Sequence, residues 1–275
     1  MNTIFMDSSL AEQIRQQGFA KREVLNAQDI LEIKELYRSL GEVNRKGTHV
    51  TMFNPSSDYR QRVDEGIKKI CADKVTALMI GYSALYANFM VKESGEEGDF
   101  PLHQDWTYVD EGRFVSIAVW IPLEEVKESK GALHVVRGSH KFPTGLRGPY
   151  VHEPFSEIGK EIRENFSTCV DLKAGEALLW DHRLLHFSKP NLTPAPRLAI
   201  TLIMLPTEAE AIHCFAKPES KGTQIEKYAV DRDFYMHYII SERPTGFRLI
   251  ETVDQAITTI TKDDFEQMYE QANKR

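Results

Sequence analysis

The sequence predicts a mainly β protein, a sandwich, jelly roll or barrel, with helices flanking its N-terminal side. Three observations carry that expectation. Between residues 84 and 205, short runs rich in β-branched and aromatic residues alternate with Gly, Pro and Ser punctuation, the pattern of many short strands. Helical periodicity comes before those runs instead of alternating with them, which argues against a parallel α/β sheet. No internal repeat or low-complexity linker divides the 275 residues. One domain over 1–275 is therefore expected: a helical flank over about 1–80, a β core over about 84–205 and an extension over 206–275.

The elements follow in order. In AQDILEIKELYRSL, Ile30, Ile33, Tyr37 and Leu40 recur at helical spacing, with Asn26 as N-cap and Gly41 as stop. THVTMFNPSSDY reads as a loop or short strand. A second helix is expected from about Tyr59 to Ile80, burying Ile67, Ile70, Cys71 and Leu78. The core strands are ALYANFMVK, RFVSIAVWIPL, ALHVV, TCVDL, EALLW and RLAITLIML, separated by turns such as RGSHKFP, KAGE and PNLTPAP. In RFVSIAVWIPL the aliphatic Val115, Ile117, Val119 and Ile121 share one face and read as core. The other face, Phe114, Ser116, Ala118 and Trp120, has small residues and an amphipathic ring, as expected where a strand lines a pocket. The signal weakens after Pro206 until a helix over Thr261–Asn273, with Asp263 and Asp264 in its first turn.

Composition narrows the function classes. A formal net charge of -7 without a basic cluster argues against a nucleic-acid partner. No apolar run approaches the roughly 20 residues that span a bilayer, and no basic-then-apolar leader opens the chain, so no membrane partner and a cytoplasmic location are expected. Cys71, Cys169 and Cys214 are scattered and odd in number, which fits reduced thiols better than a disulfide framework.

The chemistry centres on PLHQDW. On a strand, His103 and Asp105 would project from one face, and LLWDHRLLHFSKP offers His186 as a third ligand. Two histidines and a carboxylate on one face of an octahedral metal leave three positions open, as non-haem Fe(II) oxygenases require. A bare H-x-D occurs by chance in many proteins; the surroundings of His186 raise its weight. Arg197 opens the strand RLAITLIML and supplies the planar fork that a distal carboxylate needs. Ser188, two residues after His186, faces the same way. Lys92 and Arg183 are the next candidate anchors. His182 shares a strand face with His186 and reads equally as packing or as a pocket contact. Asn88 sits on a candidate pocket strand. His134 and His140 read as structural.

PLHQDW, AVWIPLEEVKESKGALHVVRGSHK and GEALLWDHRLLHFSKPNLTPAPRLAI together resemble the phytanoyl-CoA dioxygenase family, over about residues 18–205. Arg137 stands where the family's hairpin usually has proline, a departure that touches no ligand. The resemblance implies a double-stranded β-helix (jelly-roll) fold and Fe(II) held by His103, Asp105 and His186. It further implies 2-oxoglutarate contacts from Arg197, Ser188 and Trp120, with O2 as the other cosubstrate. The expected activity is that of a 2-oxoglutarate-dependent dioxygenase, hydroxylating a C–H bond of a small metabolite with release of succinate and CO2. Asp105 argues against a halogenase, in which a small residue vacates that position. Desaturation, epoxidation and cyclisation share the triad, and a non-catalytic jelly roll that binds a metabolite is the reading from another class. No strongly basic loop suited to a CoA diphosphate is present. Selectivity is expected from segments over the barrel mouth: VKESGEEGDF, KFPTGLRGPYVHEPF and the stretch from Ile212 to Arg248. Trp106, Tyr108, Arg147 and Tyr150 are the expected substrate contacts.

Overall fold

The computed structural model describes residues 4–41, 46–143 and 145–274. The N-terminal part runs α1 (Ser8–Gln17), β1 (Phe19–Glu23), α2 (Ala27–Ser39), β2 (Thr48–Val50) and α3 (Ser57–Thr76). The central part runs β3 (Tyr82–Lys92), β4 (Phe100–His103), β5 (Ile117–Pro122), β6 (Leu133–Val135), α4 (Gly159–Asn165), β7 (Thr168–Val170), β8 (Glu176–Asp181), β9 (His186–Ser188) and β10 (Arg197–Pro206). Last come β11 (Ala211–Ala216), β12 (Gln224–Val230), α5 (Arg232–His237), β13 (Arg248–Asp254) and α6 (Lys262–Asn273).

Two antiparallel sheets make the jelly roll: a major one in the order β1-β8-β5-β10-β3-β2 and a minor one in the order β4-β9-β6-β7. The alternation read in β5 sets the layers. Ile117, Val119 and Ile121 join Phe89, Val91, Ile200 and Leu202 against Ile33, Val63, Ile67, Cys71 and Val75 of α2 and α3. The other face presents Ala118, Trp120, Leu178 and Trp180 to Leu133, Val135 and Val170 of the minor sheet. Burying each such aliphatic side chain contributes about 1.5–3 kcal/mol, so both faces of the major sheet are committed. A charge at Val119, which is fully buried, would open the helical layer.

Local signals explain most boundaries. Asn26 caps α2 in a reciprocal box with Asp29, and Gly41 follows its end at φ +84°. Thr261 and Asp264 form the same box on α6. Three expectations need correction. α3 stops at Thr76, so Leu78 lies in the following turn and Ile80 is 48% exposed. Residues 113–116 lie outside β5: a turn closed by Arg113 and Phe114 on the Asp110 carbonyl precedes it, and the Ser116 carbonyl bonds across, accepting from the His182 N–H. The stretch after Pro206 is not weak: β11-β12-β13 form a third sheet. Its sequence hid this because β11 is buried throughout, leaving no alternation to read. β12 buries Glu226, neutralised by Arg243 and hydrogen-bonded by Tyr228, where a strand pattern calls for an apolar residue. Among the described residues no helix is long and apolar enough to cross a membrane.

Candidate metal centre

β4 and β9 place the two histidines directly opposite one another, His103 facing His186 in register. An irregularity between Phe100 and His103 shifts the pairing and leaves both side chains on the cavity wall. Asp105 arrives differently from the strand geometry expected of it. β4 ends at His103, and the next residues are held from outside: Gln104 donates to the Arg183 carbonyl, and Arg147 Nε donates to the Asp105 carbonyl at 2.7 Å. Trp180 Nε1 donates to Asp105 Oδ2 at 2.8 Å. That leaves Oδ1 facing both rings, 3.8 Å from His103 Nε2 and 3.8 Å from His186 Nε2.

The donor set fits a metal. One ligand atom from each of His103, Asp105 and His186 lies within 4.8 Å of the others. Each imidazole bonds a carbonyl through Nδ1, Pro101 at 2.8 Å and Leu184 at 2.9 Å. A carbonyl only accepts, so Nδ1 carries the proton and the Nε2 lone pair is left for the centre. Burial, then the neighbouring His186, pushes His103 down to about 4. Burial alone would raise Asp105, but His186, His182, His103 and the Trp180 bond outweigh it and hold the carboxyl below its ordinary value. Nε2 lone pairs turned towards an ionised carboxylate make the donor arrangement a divalent metal requires.

The three donors line a cavity of about 180 Å³. A larger cleft of about 910 Å³ beneath α4 holds only His103 of the three, so it is the smaller one in which the chemistry converges. Ser188, Trp120 and Arg197 share its wall. Arg197 is 1% exposed. Its Nη1 donates to the Gly131 carbonyl at 2.5 Å, its Cζ lies over the Trp120 ring at 5.0 Å from the centroid, and its Nε has no partner among the described residues. Burial lowers it to about 10, so it stays cationic near neutrality. A buried cation without a carboxylate is costly, and an entering carboxylate would remove that cost. Lys92 Nζ donates to Ser188 Oγ at 2.7 Å; burial, then Arg197, lowers it to about 7.

Of the expected substrate contacts, Asn88, Trp106 and Tyr108 line the cavity. Tyr108 shares a 2.7 Å hydroxyl contact with Tyr86, and Trp106 sets its ring edge against His213. His182 is fully buried behind them, its Nδ1 2.7 Å from Ser116 Oγ and its ring 4.8 Å from Tyr108. Arg147 and Tyr150 lie elsewhere. Arg147 is buried and engaged by Glu111 at 2.5 Å; Tyr150 is 62% exposed, with φ 64°, and packs on Phe215. The 141–155 stretch, in which Thr144 lies outside the described residues, is tied to the C-terminal sheet. Pro149 accepts from Ala216, and Leu146 is bonded both ways by Gln255. Trp180, Tyr86, Thr201, Ile203 and Ile240 also line the cavity and escaped the sequence reading. Trp180, beside the DH of LLWDH, carried the one available signal.

Comparison with known proteins gives a consistent picture. The phytanoyl-CoA dioxygenase (PhyH) family pattern matches residues 20–199. A phytanoyl-CoA dioxygenase domain-containing protein 1 homolog of Dictyostelium discoideum is 27% identical over 123 residues, 42% of this chain and 43% of that protein. An ectoine dioxygenase of Nocardia farcinica is 28% identical over 133 residues, 43% of each. The aligned stretch thus spans less than half the length of these relatives. Among solved structures, a non-heme alpha-ketoglutarate-dependent carbocyclase of nogalamycin biosynthesis superposes with TM-score 0.54 at 16% identity, over 75% of this chain and 86% of that one. HygX of Streptomyces hygroscopicus, with nickel, 2-oxoglutarate and hygromycin B bound, gives TM-score 0.54 at 15% identity, over 74% and 88%. At such identities the likeness is one of fold.

Proposed function

Because the chain belongs to the phytanoyl-CoA dioxygenase family, we propose that it is an Fe(II)- and 2-oxoglutarate-dependent dioxygenase that hydroxylates a small molecule. The observation that supports this most is the pairing of two features in one cavity: three metal-competent donors and, on the same wall, a buried arginine with no carboxylate in ion-pair range among the described residues. His103, Asp105 and His186 would hold the iron. Arg197 would fix the distal carboxylate of 2-oxoglutarate, with Ser188 donating beside it and Trp120 packed on the guanidinium. Iron, bound there with 2-oxoglutarate and O2, supplies the oxidising chemistry that ends in succinate, CO2 and an oxygenated product.

The chain's own residues do the rest. Trp180 orients Asp105 so that one oxygen faces the centre. Tyr86, Tyr108, Ile203 and Ile240 make an aromatic and aliphatic wall that excludes water and leaves the substrate to be oriented by shape. The test is succinate formation by the purified protein with Fe(II), 2-oxoglutarate and O2. Wild type forms succinate slowly without substrate, and His186→Ala, in a folded protein, loses that activity by at least about 100-fold. Undiminished turnover by a folded His186→Ala protein would remove the assignment.

A further inference from the structure

Lys92 ends β3 directly opposite Arg197, the first residue of β10. The two are 0% and 1% exposed. Like charges facing one another on neighbouring strands repel. Neither cation has a carboxylate in ion-pair range among the described residues; their partners are carbonyls and one hydroxyl. A methionine would fill much the same space without the charge, so the lysine calls for a physical reason.

That reason lies in where its protons go. Lys92 Nζ donates to Ser188 Oγ at 2.7 Å, to the Ser188 carbonyl at 3.1 Å and to the Lys189 carbonyl at 2.7 Å. As an ammonium, the form that an entering carboxylate favours, Lys92 has three donors and no acceptor, so in that form the Ser188 oxygen receives a proton and keeps its own hydroxyl hydrogen free to donate. Ser188 lines the cavity beside Arg197, while Lys92 stands behind it. Gly131 serves both cations. Its carbonyl accepts from Arg197, and a Cβ there, at φ +71°, would come within 2.7 Å of Lys92 Cδ and 2.9 Å of the Lys189 carbonyl. The lysine therefore sits in a cradle that only glycine leaves open.

We propose that Lys92 is a positioning residue for the distal carboxylate of the cosubstrate: it makes the Ser188 hydroxyl a fixed donor, adds a second buried positive charge behind Arg197, and so tunes this end of the cavity to dicarboxylic 2-oxo acids. The inference rests on the 2-oxoglutarate reading of the site.

The experiment compares full-length wild type, Lys92→Met, Ser188→Ala, the double variant and Arg197→Met by anaerobic calorimetry on Fe(II)-loaded protein. Two probes are used: 2-oxoglutarate, and 2-oxovalerate, which has a methyl group in place of the distal carboxylate. Lys92→Met lowers 2-oxoglutarate affinity about tenfold and leaves 2-oxovalerate and Fe(II) affinity unchanged. Its metal-free Tm equals or exceeds wild type, because an unneutralised buried charge is gone. The double variant loses less than the sum of the two single losses, the signature of action in part through the serine. Equal losses with both oxo acids, or an unchanged ratio of their affinities, overturn the proposal. If Lys92→Met does not fold, Ser188→Ala decides alone: it must lower the ratio, and an unchanged ratio overturns the proposal. Arg197→Met separates the two levels. If it too leaves the ratio unchanged, the cosubstrate reading itself fails; if it alone collapses the ratio, only the role of Lys92 fails.

Discussion

The two ends of the cavity are built to opposite electrostatic plans. At one end, two imidazoles with Nε2 turned to the centre and one carboxylate held ionised are set for a cation, with each non-ligating atom already engaged by a carbonyl or by Trp180. At the other, Arg197 and Lys92 are buried side by side with no carboxylate in ion-pair range among the described residues. The metal end presents a donor set suited to a cation, whereas the far end holds two cations whose nearest carboxylates, Glu124 and Asp99, act on them only from beyond ion-pair distance. The difference fits the proposed cosubstrate, a molecule that chelates a metal at one end and carries a carboxylate at the other.

The far end should break most visibly. Arg197→Lys keeps the charge and loses the planar fork, so the apparent KM for 2-oxoglutarate rises by about 10- to 100-fold in steady-state assays while Fe(II) affinity is unchanged. A KM equal to wild type would move the anchor elsewhere. The metal end is sharpened by Trp180→Phe, which frees Asp105 Oδ2 without touching a ligand. Loss of such a supporting bond costs about 10-fold in Fe(II) affinity, read by metal titration. No change would mean that the Gln104 and Arg147 tethers fix Asp105 by themselves.

The pH dependence of stability distinguishes the ends more gently. Burial and Arg197, with a smaller push from Arg163 and a counter-pull from Asp99, hold Lys92 at about 7 in the folded protein, below the ordinary lysine value of about 10.5. Between those values the unfolded chain binds a proton that the fold does not, so this lysine makes stability rise as pH increases from about 7 towards 10.5. Chemical denaturation across that window should show a shallower rise in Lys92→Met than in wild type. Parallel slopes would mean that the amine stays charged in the fold.

The same contrast explains what the sequence disclosed. His103, Asp105 and His186 could be picked out because a metal-competent donor set restricts residue type and spacing, and the structure brings the three together; Arg197 could be, because a planar bidentate cation has few substitutes, and it lies on the same cavity wall. The β5 alternation was legible because its two faces meet different layers. Tyr86, Ile203 and Ile240 were not, because an apolar wall uses the same residues as a core. Asp105 reached the centre through tethers from Trp180, Arg147 and Gln104, contacts distant in sequence. Arg147 looked like a substrate contact for the converse reason: an arginine in a Gly- and Pro-rich loop gives no sign that Glu111 and a backbone carbonyl already hold it. β11 and β12 stayed hidden because one strand is wholly buried and the other buries an ion pair.

If both ends read one molecule, binding at one is coupled to binding at the other, and that coupling is the most direct test. Anaerobic calorimetry of 2-oxoglutarate binding to metal-free and Fe(II)-loaded protein should give roughly tenfold or greater tightening with iron, and by linkage the same factor for iron in the presence of 2-oxoglutarate. Arg197→Met should weaken binding in both states while leaving that factor in place. Equal affinity with and without iron would contradict the account, because the triad and the arginine would then belong to separate sites.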